Sequence, residues 1–220
     1  MPGAATHEIE LIERGRGGGT PPPAGGGDDG SGSGGSAEVS RRAYFTGISL
    51  GLAAILMFFM ALTSAYIVRK GLGGDWRPIQ LPRVLWFNTL VLLVSSVTIE
   101  IARRKERAAQ LAAFRNWWGV TTGLGCLFLL GQVQAWRQLR AAGVFVASNP
   151  SSSFFYVLTA AHGAHLVGGI LALAYVAARA WPATAGSRIT QDTAAELASV
   201  YWHFMDGLWV FLFLLLYLGR

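Results

Sequence analysis

The chain has 220 residues, of which 52% are hydrophobic and only 14% charged. That balance excludes an ordinary soluble domain and points to an integral membrane protein. The formal net charge of +6 does not indicate nucleic acid, because the basic residues sit in short clusters between apolar runs, where membrane topology needs them. The single cysteine, Cys126, lies in an apolar run and reads as a small buried hydrophobe, with no disulfide framework or haem-attachment motif around it.

Residues 1–40 are expected to form a flexible cytoplasmic tail. From Gly15 to Ser36 the chain is mostly Gly, Ser and Pro, with Pro21-Pro22-Pro23 and the acidic pair Asp28-Asp29. Such a segment buries too little apolar surface to offset the entropy of ordering. The stretch His7 to Arg14 has mild helical amphipathicity and is expected to be frayed, and His7 has no metal role on its own. No basic-then-apolar leader precedes the first apolar run near Tyr44, so that run is expected to serve as the uncleaved insertion signal.

Residues 41–220 read as all-α, a polytopic bundle of five transmembrane helices. The first span, 43–68, has no charged residue and is bracketed by Arg41-Arg42 and Arg69-Lys70. At about 1.5 Å per residue it crosses roughly 30 Å of hydrocarbon. The second covers about 83–102, with Glu100 near its end and the basic block Arg103-Arg104-Lys105 beyond. The third covers about 116–136 and closes at Arg137. The fourth, about 153–178, follows the loop signal Asn149-Pro150. The fifth covers about 196–218. An N-in, C-out arrangement places more of the 18 lysines and arginines inside, including the dense run from Arg103 to Arg107.

Gly47 and Gly51 in the first span, and Gly119 and Gly123 in the third, form GxxxG pairs that allow backbones to approach closely within a membrane. Trp76, Trp86, Trp117, Trp118, Trp136 and Trp181 lie near expected span ends, where amphipathic rings suit the interface. Gln132 and Gln134 are expected to hydrogen-bond a neighbouring helix or to border a hydrated end.

The polar residues inside the spans fall into lines. Glu196, Ser199, His203 and Asp206 share one stripe of the fifth helix, and Thr159, His162, His165 and Gly169 lie near one stripe of the fourth. Thr89, Ser96 and Glu100 do the same on the second. Ionisable groups at membrane depth are costly and rarely face lipid, so the lines should point into the protein or against another subunit. By residue type, His162, His165, His203 and Asp206 are metal ligands, but no independent cluster completes a site, and nothing further supports haem ligation. A proton relay fits the set in type. Interhelical hydrogen bonding, typically about a kcal/mol or less per contact, fits it too and stands first on the residues alone.

Four ordered motifs resemble subunit III of the haem–copper cytochrome c oxidases. The first helix ends Thr63-Ser-Ala-Tyr66-Ile-Val-Arg69, similar to the family's Ser-Ala-Tyr exit. The second reads Leu81-Pro-Arg-Val-Leu-Trp86-Phe-Asn88-Thr89, then Ser95-Ser96-Val-Thr98, like LPxxLWxNT…SSxT. The fourth contains Leu158-Thr-Ala-Ala-His162-Gly-Ala-His165, resembling LTGxHGxH. The fifth gives Glu196-x4-Tyr201-Trp-His203-Phe-x-Asp206-x2-Trp209, close to E-x4-YWHFxDxxW. The likeness covers roughly residues 41–220.

The resemblance implies an accessory subunit of a terminal oxidase that reduces O2 to water and pumps protons. This chain would be a non-redox part of that complex: it would bind no haem or copper, those lying in partner subunits I and II. It would pack beside subunit I, hold phospholipid in a cleft and support proton uptake, in a bacterial-type inner (cell) membrane and with no nucleic-acid partner. His162, His165, Glu196, His203 and Asp206, with Asn88 and Glu100, become structural or lipid-cleft positions, none catalytic and none a metal ligand. Larger members have seven helices, so this chain would lack the first two. Many members also carry a carboxylate in the helix matching the first span, which here reads Leu52-Ala-Ala-Ile55-Leu-Met-Phe58. A proton role resting on that acid is not carried over. Close alternatives are subunit III of a quinol oxidase or a relative attached to a nitric oxide reductase. A stand-alone proton-coupled transporter built on the His/Asp/Glu lines belongs to a different class.

Overall fold

The computed structural model describes the backbone of residues 32–72, 74, 76–180 and 188–219, with side chains from Arg41 onward and, in the last segment, from Asp192. Five helices follow in chain order: α1 Gly32–Leu72, α2 Val84–Arg107, α3 Leu111–Ala141, α4 Pro150–Ala180 and α5 Arg188–Leu218. The described residues contain no strand. Four of the helices, over Arg41–Leu72, Val84–Arg107, Pro150–Ala180 and Asp192–Leu218, are long and apolar enough to cross a membrane; α3 is more polar. The segment from His7 to Arg14 and Trp181 lie outside the described residues.

Each helix runs past the end expected from its apolar span. Hydropathy stops at the first charge, but helical hydrogen bonding continues through the polar turns that follow. α1 also reaches back to Gly32, into the stretch read from composition as tail.

The helix ends have local causes. α2 closes with Ala109 N–H donating to Glu106 O and Gln110 N–H to Lys105 O, both 2.9 Å, which is a Schellman closure. Its left-handed position is held by Ala109 at φ 55, where glycine is usual. α3 ends in the same motif with Gly143 at φ 76. Arg104, Lys105 and Arg107 in the last turn of α2 complement its dipole. α4 begins at a reciprocal cap: Ser152 N–H donates to Asn149 Oδ1 (3.0 Å) and Asn149 N–H to Ser152 Oγ (3.2 Å), with Pro150 at the first helical position.

α4 and α5 pack together as a central pair. The α2–α3 hairpin covers one side, α2 against α5 and α3 against α4. α1 lies on the other side, touching only α4 and α5 among the described helices. It presents a narrow buried line of Phe59, Thr63 and Tyr66, at helical spacing, and leaves most of its surface outward.

Candidate functional site

The interior is stitched by indoles. Trp118 Nε1 donates to Leu173 O (2.9 Å) and Trp136 Nε1 to Thr159 Oγ1 (3.1 Å), joining α3 to α4. Trp202 Nε1 donates to Ser95 Oγ (3.0 Å) and Trp209 Nε1 to Thr89 Oγ1 (3.1 Å), joining α5 to α2. Tyr201 Oη donates to His165 O (2.8 Å), and Thr98 and Thr121 share a 2.8 Å bond between α2 and α3. A buried indole must place its N–H somewhere, and here it does so on the next helix. Trp118 is therefore buried in the bundle rather than set at the membrane interface, whereas Trp86 and Trp117 are exposed.

Close packing relies on glycines outside the GxxxG pairs. A Cβ at Gly125 would stand 2.6 Å from the Trp202 ring, and one at Gly169 would meet Tyr201 and Trp202 at 3.1–3.3 Å. The Trp202 indole is thus wedged between α3 and α4. At Gly131 the space of the missing Cβ is filled by the Asn88 carboxamide. Gly47, Gly51, Gly119 and Gly123 have nothing within 4 Å of that position. The spacing signal marked outward faces, and the contacts fell on glycines opposite large side chains. Cys126 is likewise on the outside of α3, correcting its expected burial.

The fifth-helix polar stripe divides. Residues seven apart nearly superpose on a helix, so Glu196 and His203 share one edge and Ser199 and Asp206 the other. Ser199 and Asp206 are buried; Glu196 is half-buried and His203 exposed. His203 Nδ1 lies 2.6 Å from Ser96 Oγ of α2, so this histidine faces the second helix and not the histidines of the fourth.

Glu196 belongs to an ionic cluster at the C-terminal end of α2. Its carboxylate meets Arg41 of α1 at 2.9 Å and Arg103 of α2 at 3.9 Å. Arg103 is buried, also pairs with Glu106 at 3.7 Å, and donates to Asp192 O at 3.5 Å. Glu100 pairs with Arg104 one turn along at 3.0 Å. Three helices are held together here by charge, in a contact that only three-dimensional proximity reveals.

On α4 the two histidines diverge. His165 turns toward α1, with its ring 5.6 Å from Phe59 and its Nδ1 2.8 Å from Ala161 O. His162 is fully buried between Trp209 (5.1 Å) and Phe128 (5.9 Å). Asn88, Gln132, His162 and Asp206 are buried with no hydrogen-bond partner on their side-chain polar atoms among the described residues, one on each helix from α2 to α5. Gln132 was singled out from the sequence as a hydrogen-bonding group; it lies inside the bundle beside Gly131, while Gln134 is exposed. Among the described residues no group of three or more His, Cys, Asp or Glu could hold a metal ion.

An open groove of about 800 Å³ runs between the end of α1 and the start of α4, walled by Ala65, Val68, Leu72 and Phe154, with Arg69 and Asn149 on it. None of Asn88, Glu100, His162, His165, Glu196, His203 and Asp206 lines it.

Fold and site together define a multi-pass helical membrane protein in which several interior polar groups join one helix to the next. The family model for cytochrome c oxidase subunit III matches residues 31–219. The chain is 34% identical over 180 residues to the probable cytochrome c oxidase subunit 3 of Mycobacterium bovis, covering 79% of this chain and 87% of that one. It is 33% identical over 180 residues to the cytochrome c oxidase subunit 3 of Corynebacterium diphtheriae (78% and 85%) and 32% over 176 residues to that of a Synechocystis species (78% and 74%). The chain belongs to the cytochrome c oxidase subunit III family, the membrane subunits of haem–copper oxidases that carry no redox centre themselves.

Proposed function

We propose that the chain is the accessory subunit III of a bacterial-type cytochrome c oxidase, set in the inner cell membrane by five crossings with its N-terminus inside and C-terminus outside. It packs beside subunit I in a complex that also contains subunit II, with the haem and copper in those partners. There it steadies subunit I and sustains proton uptake during O2 reduction. The observation that carries this reading is the family match over residues 31–219, a range that takes in all five helices. Relatives named as cytochrome c oxidase subunits favour cytochrome c as the electron donor.

The finer points have their own support. α3 has 31 residues, about 46 Å of rise, and packs along α2 and α4 with Trp118, Thr121, Phe128 and Gln132 buried, as a fifth crossing would. The basic run from Arg103 to Arg107 favours the inside for that end of α2. The groove beside α1 has the apolar walls and basic rim suited to a phospholipid. Asn88, His162, His165, Glu196, His203, Asp206 and Glu100 act in holding helices and subunits, not in electron transfer.

A tagged chain extracted in mild detergent should bring haem absorbance with it and oxidise reduced cytochrome c. A preparation oxidising quinol alone would reassign the donor. A chain that stays alone, without haem, would sink the oxidase reading. A reporter fused after Arg220 checks orientation, since cytoplasmic activity there is incompatible with the C-out arrangement.

A further inference from the structure

The outer surfaces of α1 and of the α2/α5 pair differ in chemistry. On α1 the outward residues from Leu50 to Met60 are apolar, Met57 among them, and the hydroxyls of Thr46 and Ser49 are closed onto the helix's own carbonyls. Along the α2/α5 seam, Ser96 and the exposed His203 bond to each other. Ser96 stands about 18 Å of helix rise from the start of α2, near mid-membrane. Glu100 follows one turn along α2 with its side chain 43% exposed. His203 uses Nδ1 on Ser96, and its Nε2 has no hydrogen-bond partner among the described residues, on a residue that is itself exposed. Beside it, Gly207 has nothing within 4 Å of its Cβ position, which leaves room for another backbone. Imidazole and carboxylate groups do not face acyl chains at this depth when protein is at hand.

We propose that the α2/α5 face carrying Ser96, His203 and Glu100 docks on a transmembrane helix of the haem-bearing core subunit. That helix crosses close over Gly207 and offers a hydroxyl or amide to the outward edge of the His203 ring. The outward face of α1 is then left to lipid. The inference rests on the oxidase reading above and adds which face is used and which chemistry meets it.

A photo-crosslinking residue replacing Val97, which is 60% exposed on α2, is compared with one replacing Met57, 67% exposed on α1, in intact membranes. The Val97 adduct should contain the haem-bearing subunit and the Met57 adduct lipid. Capture of the core from Met57 and not Val97, or only lipid or a second copy of this chain from Val97, overturns the proposal. In parallel, His203→Leu should lower the haem retained per chain by about threefold, the size of a typical membrane hydrogen bond, with His203→Gln recovering it. Full haem retention by His203→Leu contradicts the proposal even where the crosslink succeeds. If the unmodified chain retains no haem protein, the oxidase reading fails first, and this inference falls with it.

Discussion

Gly131 and Gly119 stand on the same helix and carry opposite expectations. A methyl at Gly131 would displace the buried Asn88 carboxamide, whereas a methyl at Gly119 meets nothing. Gly131→Ala should cost about 1–3 kcal/mol of bundle stability through overpacking, and Gly125→Ala a similar amount through the Trp202 ring. Gly119→Ala should be neutral within about 0.5 kcal/mol. The unfolding midpoints of the purified complex would show it, and equal losses at Gly119 and Gly131 would contradict this packing. Ala109→Gly should do the reverse and stabilise by about 1 kcal/mol, since it relieves a left-handed alanine without removing any side-chain contact of note. By sequence alone Glu196, Ser199, His203 and Asp206 share one stripe, and the structure divides it. The seven-residue spacings of Glu196 with His203 and of Ser199 with Asp206 already separate two edges. Which edge faces outward was not legible, because that depends on where α2 sits.

The helices themselves were easy to read and their ends were not. An uninterrupted apolar run announces a span, but the charged turn from Arg103 to Arg107 stays helical beyond it, with Arg103 buried and paired to Glu106 and Glu196. The tryptophans show a second limit. Trp86 and Trp118 look alike by position near a span end, yet one is exposed and the other donates its indole to α4. Only the partner carbonyl of Leu173 distinguishes them, and it lies 55 residues away. The ionic cluster at the end of α2 was invisible for the same reason. Arg103→Ala should destabilise by up to about 3 kcal/mol, because it strands the largely covered Glu106 and leaves the half-covered Glu196 with only the exposed Arg41. Arg41, with its side chain 58% exposed, should matter by less than about 1 kcal/mol when replaced by alanine, and that loss should shrink at high salt. Thermal midpoints at low and high salt test both; an Arg41 effect larger than the Arg103 effect would reverse the assignment. Asn149→Ala should cost about 1 kcal/mol by removing the α4 cap.

For the molecule as a whole, the sequence motifs pointed to the family and the interior geometry explains what several of the motif residues do. Thr89 and Ser95 accept hydrogen bonds from Trp209 and Trp202 between α2 and α5, so the second-helix and fifth-helix motifs are two halves of one seam. Replacing Trp202 with phenylalanine should lower the complex's thermal midpoint while the first turnover with oxygen stays normal, because the indole touches only this chain's own helices. Loss of first-turnover activity in a fully assembled complex would show that the seam reaches the reacting centre.

The seating of α1 against α4 and α5 alone has a bearing on how the protein is made. α1 leaves the ribosome ahead of α2 to α5, yet the surfaces that receive Phe59 and Tyr66 and the Glu196 that meets Arg41 belong to α4 and α5. The α2–α3 hairpin can close as soon as it is translated, because its partners are neighbours in the chain. α1 must instead wait in the bilayer, unseated, until α4 and α5 have been made. Of the five helices the earliest made is the last to find its place, and a chain cut short after α3 would leave it without the two helices it seats on.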